Sequence, residues 1–106
     1  MYRVIAKHTR PSTGVEFFNH KTSPLISQDT GAYIRENYII TGKIVHSEES
    51  LSENGLELTV TSIYQDEATY NEWKNDSTIA EQFYAVSNSY REANGIISVI
   101  ESAESV

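Results

Sequence analysis

Residues 2 to 9, YRVIAKHT, place Tyr2, Val4, Ala6 and His8 on one side of an extended chain, the period-two pattern of a strand with one face turned to a core. Pro11 and Gly14 interrupt it. Alternation returns in NYIITGKIVHS, residues 37–47, where Tyr38, Ile40, Gly42, Ile44 and His46 share a face. It recurs in GLELTVTSIY, residues 55–64, with Leu56, Leu58, Val60, Ser62 and Tyr64 together. These two runs predict paired strands joined by an acidic, polar loop, EESLSEN, residues 48–54. Their opposite faces are mixed, with Thr41, Lys43, Glu57, Thr59 and Thr61 among Ile39, Val45 and Ile63.

The spacing then changes from two to between three and four. Asp66 is a helix cap ahead of Tyr70 and Trp73, and Asp76 or Ser77 is a second cap ahead of a longer helix. In that helix Ile79, Phe83, Val86 and Tyr90 fall on one stripe, with Glu81, Ser87, Asn88 and Arg91 off it. Gly95 ends the helix, and the β-branched run IISVIE predicts a returning strand. The residues from 101 onward are expected to fray. Between residues 15 and 37 the pattern is weaker. Ser23 and Pro24 resemble a cap and first helical residue, with Ile26, Thr30 and Tyr33 on one stripe, but Gly31 interrupts that helix and VEFFNH fits an extended chain as well.

The element order is strand, helix, strand, strand, helix, strand. With right-handed crossovers it predicts a ferredoxin-like βαββαβ fold, an α+β domain over residues 1–106 with a four-stranded antiparallel sheet and both helices on one face. A sheet clad on one side only, with isoleucine and valine on the other, gains by pairing with a second copy, so a homodimer through that sheet face is expected.

Composition narrows the partners. Eight basic against fifteen acidic residues give a net charge of −7, and the bases are scattered from Arg3 to Arg91, an arrangement unsuited to a phosphate backbone. With no cysteine there is no disulfide, thiolate nucleophile or cysteine-ligated metal, and a reducing, cytoplasmic setting is the natural expectation. No apolar run is long enough to suggest a membrane span, and the opening strand lacks the apolar stretch of an export signal.

The run LTVTSIYQDEATYNEWKND, followed by AEQFYAVSNSYREANGI, resembles the second half of dimeric α/β-barrel proteins of the antibiotic-biosynthesis-monooxygenase type, over about residues 56 to 100. The first half matches in element order only. The resemblance implies two sheets facing each other in a dimer, helices outside, and a pocket between sheet and helices. Some members of that group oxidise quinol-like or polycyclic aromatic substrates without a cofactor, and others degrade haem. The haem-degrading members use an asparagine in the first strand, a tryptophan in the helix after the third strand and a histidine further on. Trp73 matches the tryptophan, but the first strand here has no asparagine and no histidine follows His46. Haem degradation is therefore not expected, and no cofactor or metal is assigned.

Candidate chemistry rests on few side chains. His8 and His46 fall on core-type faces near the carboxyl ends of two parallel strands, where a pocket would open and proton transfer would be possible. With the third strand between them their backbones would lie roughly 9.6 Å apart, so a metal would also need His20 as a third ligand. Tyr38, Ser62 and Tyr64 share the helix-facing side of the sheet and Trp73 stands over it. Such a group lines a pocket for a flat aromatic ligand, or forms an ordinary helix–sheet boundary with Trp73 as its apolar anchor. There is no phosphate-binding glycine loop, nucleophile elbow or HExxH motif. Two readings follow: a homodimeric module with a structural or ligand-binding role, and a cofactor-independent monooxygenase-like enzyme acting on an aromatic substrate. An enclosed cavity holding an ionisable group with a polar partner would favour the second.

Overall fold

The computed structural model describes residues 1–106. Four strands, β1 (Tyr2–Thr9), β2 (Ile44–Leu51), β3 (Glu57–Tyr64) and β4 (Ile97–Ser105), form one sheet in the order β2-β3-β1-β4. All neighbours are antiparallel. The helical elements are α1, residues 28–39; α2, Glu67–Asn75; and α3, residues 77–93. This is the α+β, ferredoxin-like arrangement that the element order predicts.

Each helix begins where a side chain satisfies the free N–H groups of its first turn. Asp66 accepts from Thr69 N at 2.7 Å to start α2, and Asp76 accepts from Thr78 N at 2.9 Å and Ile79 N at 3.4 Å to start α3. Gly95, at φ +71°, supplies the left-handed turn that ends α3 and returns the chain to β4.

Four expectations are corrected. First, Ser23 and Pro24 do not start a helix. Ser23 Oγ accepts from Leu25 N at 3.2 Å in a local turn, and α1 begins at Gln28 behind a Ser27 cap that accepts from Thr30 N at 3.1 Å. Residues 15–20 belong to neither a helix nor a strand.

Second, the alternation of residues 37–47 does not mark one strand. α1 starts as Gln28–Ile34 and continues as a π-helical segment, Arg35–Ile39, so Tyr38 and Ile39 are helical; Gly42, at φ +77°, then turns the chain and β2 begins at Ile44. A short apolar run fits either period, and burial of Tyr38 against α2 decides for the helix. Residues 48–51, expected in a loop, extend β2, leaving a compact turn closed by Ser52 N to Glu57 O at 2.9 Å.

Third, α3 does not keep a uniform helical period. It runs as Ser77–Ile79, a π-helical segment Ala80–Tyr84, and Ala85–Ala93. The wider turn rotates the stripe, and Ser87, expected off the buried face, is fully buried. Fourth, residues 101–105 do not fray. They pair with β1 through a bulge near Glu101, and Val106 N donates to Met1 O at 2.9 Å.

The Cα extents are 37 × 32 × 19 Å, one sheet with one layer of helices. Only nine of 106 residues are buried. The core joins Val4 and Tyr64 of the sheet to Tyr38, Trp73 and Ile79 of the helices. On the outer face Ile5, Ile63, Ile97 and Val99 stand among Arg3, Lys7, Thr59 and Thr61, as the register with β3 and β4 requires. Ile39 is not part of this face, because it has left the sheet. The exposed surface, 6603 Å², exceeds the about 6,000 Å² usual for a folded monomer of this mass. No helix is long and apolar enough to cross a membrane.

Candidate functional site

Between the helices and the β3 side of the sheet the space is filled by rings. Trp73, 5% exposed, meets Tyr38 edge to face with centroids 4.8 Å apart, and its edge-to-face neighbours Phe83 and Tyr84 lie at 5.8 and 6.1 Å. Its indole N–H donates to Tyr84 Oη at 2.6 Å. That bond satisfies the one polar atom of an otherwise apolar anchor. Tyr64 packs on Tyr70, which in turn stacks on Tyr2 at 5.5 Å.

Burial pushes the Tyr64 phenol far above the ordinary tyrosine range. It does the same for Tyr38, with the adjacent Asp76 carboxylate adding to the effect. Both phenols therefore stay neutral; both serve as packing groups, and Tyr38 also donates a hydrogen bond to Asp76. Ser62 lies on the same face of the sheet, half-buried between Val4 of β1 and Ser47 of β2.

Asp76 organises the helical layer. One oxygen, Oδ1, caps α3, while the other, Oδ2, accepts from Tyr33 Oη and Tyr38 Oη, each at 2.7 Å. Burial raises the Asp76 pKa, but the two phenols and the N–H groups of Ile79 and Thr78 outweigh it, so its net position is below the ordinary carboxylate value. The sequence shows Asp76 as a cap; its second role depends on where the α1 tyrosines fold.

The histidines do not come together. The register shifts between Ile44 and His46, and His46 pairs with Ile63 on the outer face, 3.6 Å from Glu48. His8 lies on the helix-facing side at the far end of β1, since it aligns with Leu58 while Ile63 aligns with Arg3. The bulge thus reverses the side chains expected to match those of β1. His20 is elsewhere again, on the loop, edge to face with Phe83 at 5.9 Å. No group of three His, Asp or Glu side chains is arranged to hold a metal ion.

His8 remains the one histidine under the helices. Its Nδ1 shares a 2.6 Å hydrogen bond with Ser98 Oγ of β4. Burial, assisted by the charge of Arg91, pushes its pKa down to about 4, so the ring is neutral near pH 7. Arg91 belongs to the last turns of α3 and lies 5.7 Å from the Phe18 ring centroid. Burial also lowers the pKa of its guanidinium. Sequence periodicity places Arg91 off the buried stripe; the π-helical turn upstream, which no residue pattern announces, is why it is half-covered.

Two surface grooves flank these groups. One, about 470 Å³ and open to solvent, runs between α2, α3 and β4, lined by Tyr70, Lys74, Tyr84, Asn88 and Ile100. The other, about 300 Å³, lies between the 16–25 loop and Tyr90. Neither is lined by any of the six side chains singled out from the sequence, His8, Tyr38, His46, Ser62, Tyr64 and Trp73.

No protein-family model matches this chain, and no curated protein matches it. Among solved structures, it is similar to a dimeric ferredoxin-like protein from an uncultured marine organism, with a TM-score of 0.61 and 13% identity over 99% of this chain and 90% of that one. At that identity the likeness is one of fold, and the ferredoxin-like architecture is what the two chains share.

Proposed function

We propose that the protein is a homodimeric binding module in which two copies pack outer sheet face against outer sheet face and each keeps a small-ligand site on its helix side. The observation that carries this reading is the uncovered outer face, where Ile5, Ile63, Ile97 and Val99 lie together, Ile97 67% and Val99 52% exposed. Its two cations are paired in place, Arg3 with Glu104 at 2.7 Å and Lys7 with Glu101 at 3.2 Å, while Glu48 and Glu57 stand at its β2 edge and at the start of β3.

Size supports the same occupant. Four strands at about 4.8 Å spacing and eight residues at about 3.3 Å rise give a face of roughly 500 Å² in projection, and more as corrugated accessible surface. That is the scale of the about 800 Å² per partner of a standard interface. The similar solved structure is itself described as dimeric.

Binding is favoured over oxygenase chemistry on an aromatic substrate because rings occupy the space between helices and sheet where such a substrate would lie. Sedimentation velocity across a hundredfold concentration range tests the module. A particle of twice the 12.0 kDa chain mass is expected, and a 12.0 kDa particle at the highest concentration overturns the reading.

A further inference from the structure

Five of the eight basic side chains are at least partly covered: Arg3, Lys7, Arg10, Lys43 and Arg91. Arg3, Lys7 and Lys43 each pair with a glutamate. Arg10 donates to Gly55 O at 2.7 Å and Val15 O at 2.9 Å. Arg91 has neither kind of partner. Its only polar contacts are Nη1 to Ser87 Oγ and to Asn88 Oδ1, both at 3.4 Å, longer than a good charged hydrogen bond. In a chain with fifteen acidic residues, a half-buried guanidinium without a carboxylate is an unfilled anion position.

What surrounds it indicates the kind of anion. Gly95 turns α3 directly into β4, where Ile97 pairs with Thr9 and Ser98 with His8, so the end of α3 is tied to the sheet end that carries His8. The charge of Arg91 is felt at His8 and also at His20, Glu49 acts on His20, and no carboxylate acts on Arg91. Phe18 lies beside the guanidinium and tilts against Tyr90, with centroids 5.5 Å apart. A cation beside the Phe18 ring, with a neutral imidazole tied to the same end of the sheet, suits a carboxylate on a flat apolar body.

Building on the ligand-binding half of the module reading, we infer that Arg91 and His8, the latter oriented by Ser98, hold the carboxylate of a small aromatic acid at this end of the helix–sheet seam. Arg91 supplies the planar pair of donors that matches a carboxylate. With Ser98 donating to His8 Nδ1, the imidazole carries its proton on Nε2 and directs it to the same anion.

Calorimetric titration with sodium benzoate, benzyl alcohol and inorganic phosphate tests the assignment. Benzoate should bind saturably, benzyl alcohol and phosphate at least tenfold more weakly, and Arg91→Gln should weaken benzoate at least tenfold. Benzoate should also displace the His8 imidazole resonances of the unmodified protein. Absence of saturable benzoate binding, equal binding to Arg91→Gln, or phosphate or benzyl alcohol binding as tightly as benzoate overturns the inference. If Arg91→Gln fails to fold, Arg91→Lys and the His8 resonances carry the test, with undisturbed resonances counting against it. Sedimentation of the same samples separates this inference from dimerisation: a monomer that binds benzoate through Arg91 sustains the ligand site and removes the dimer.

Discussion

Tyr38 and Asp76 are joined by a 2.7 Å hydrogen bond from the phenol to Oδ2, while Oδ1 of the same carboxylate caps α3. One side chain thus ties α1 to the start of α3. Replacing Asp76 by Ala removes the cap and leaves the buried Tyr38 hydroxyl without its acceptor, an expected loss of about 2–4 kcal/mol. Thermal unfolding should fall by roughly 10 °C or more. Asp76 also implies a pH dependence. Its folded pKa lies below the ordinary 3.8, so its contribution is present above that value and is lost as pH falls through the lower folded one. Asp76→Asn should flatten the acid limb of a stability–pH curve, which denaturant titrations between pH 5 and 2 measure.

Trp73 is the only tryptophan in the chain, and its core position makes it an internal reporter. Its fluorescence should be blue-shifted in the native protein and shift to the red in one cooperative step on unfolding. Trp73→Ala should cost about 3–5 kcal/mol, since the rings of Tyr38, Phe83 and Tyr84 lose their common contact. Tyr84→Phe removes only the acceptor of the indole N–H and should cost about 1 kcal/mol. Comparable losses for the two substitutions would contradict the anchoring role of the indole.

His8 gives a second pH window. Burial holds its folded pKa near about 4, against an ordinary 6.5, so the folded state binds fewer protons than the unfolded one between those values. Stability from the neutral ring is complete above pH 6.5 and declines as pH falls towards 4. An NMR titration should show the His8 midpoint near about 4, and His8→Gln should remove the corresponding slope. Arg91→Gln should raise the midpoint, because the guanidinium contributes to the depression.

The proposed dimer makes a separate demand on the outer face. Ile63→Asp places a charge on that face, beside Arg3 of β1, and should yield a 12.0 kDa particle with unchanged far-ultraviolet circular dichroism. Asn88→Asp, on α3, should leave the mass as it was. Identical sedimentation of Ile63→Asp and the unmodified chain would rule out this face as the interface.

Local pattern alone determines much of this protein. Alternation identifies β1 and β3, Asp66 and Asp76 start the two helices after β3, Gly95 ends the second, and the element order gives the ferredoxin-like topology. These features are legible because capping, glycine turns and period-two burial depend on neighbours within a few residues. What failed depends on contacts distant in sequence. Tyr38 is helical because Trp73 and Asp76 receive it, and His46 faces outward because of a bulge that β3 pairing imposes. Ser87 is buried and Arg91 half-covered where a π-helical turn rotates α3. A single extra residue in a ladder or a helical turn changes which side chain faces the core, and only the packed chain shows where that residue is accommodated.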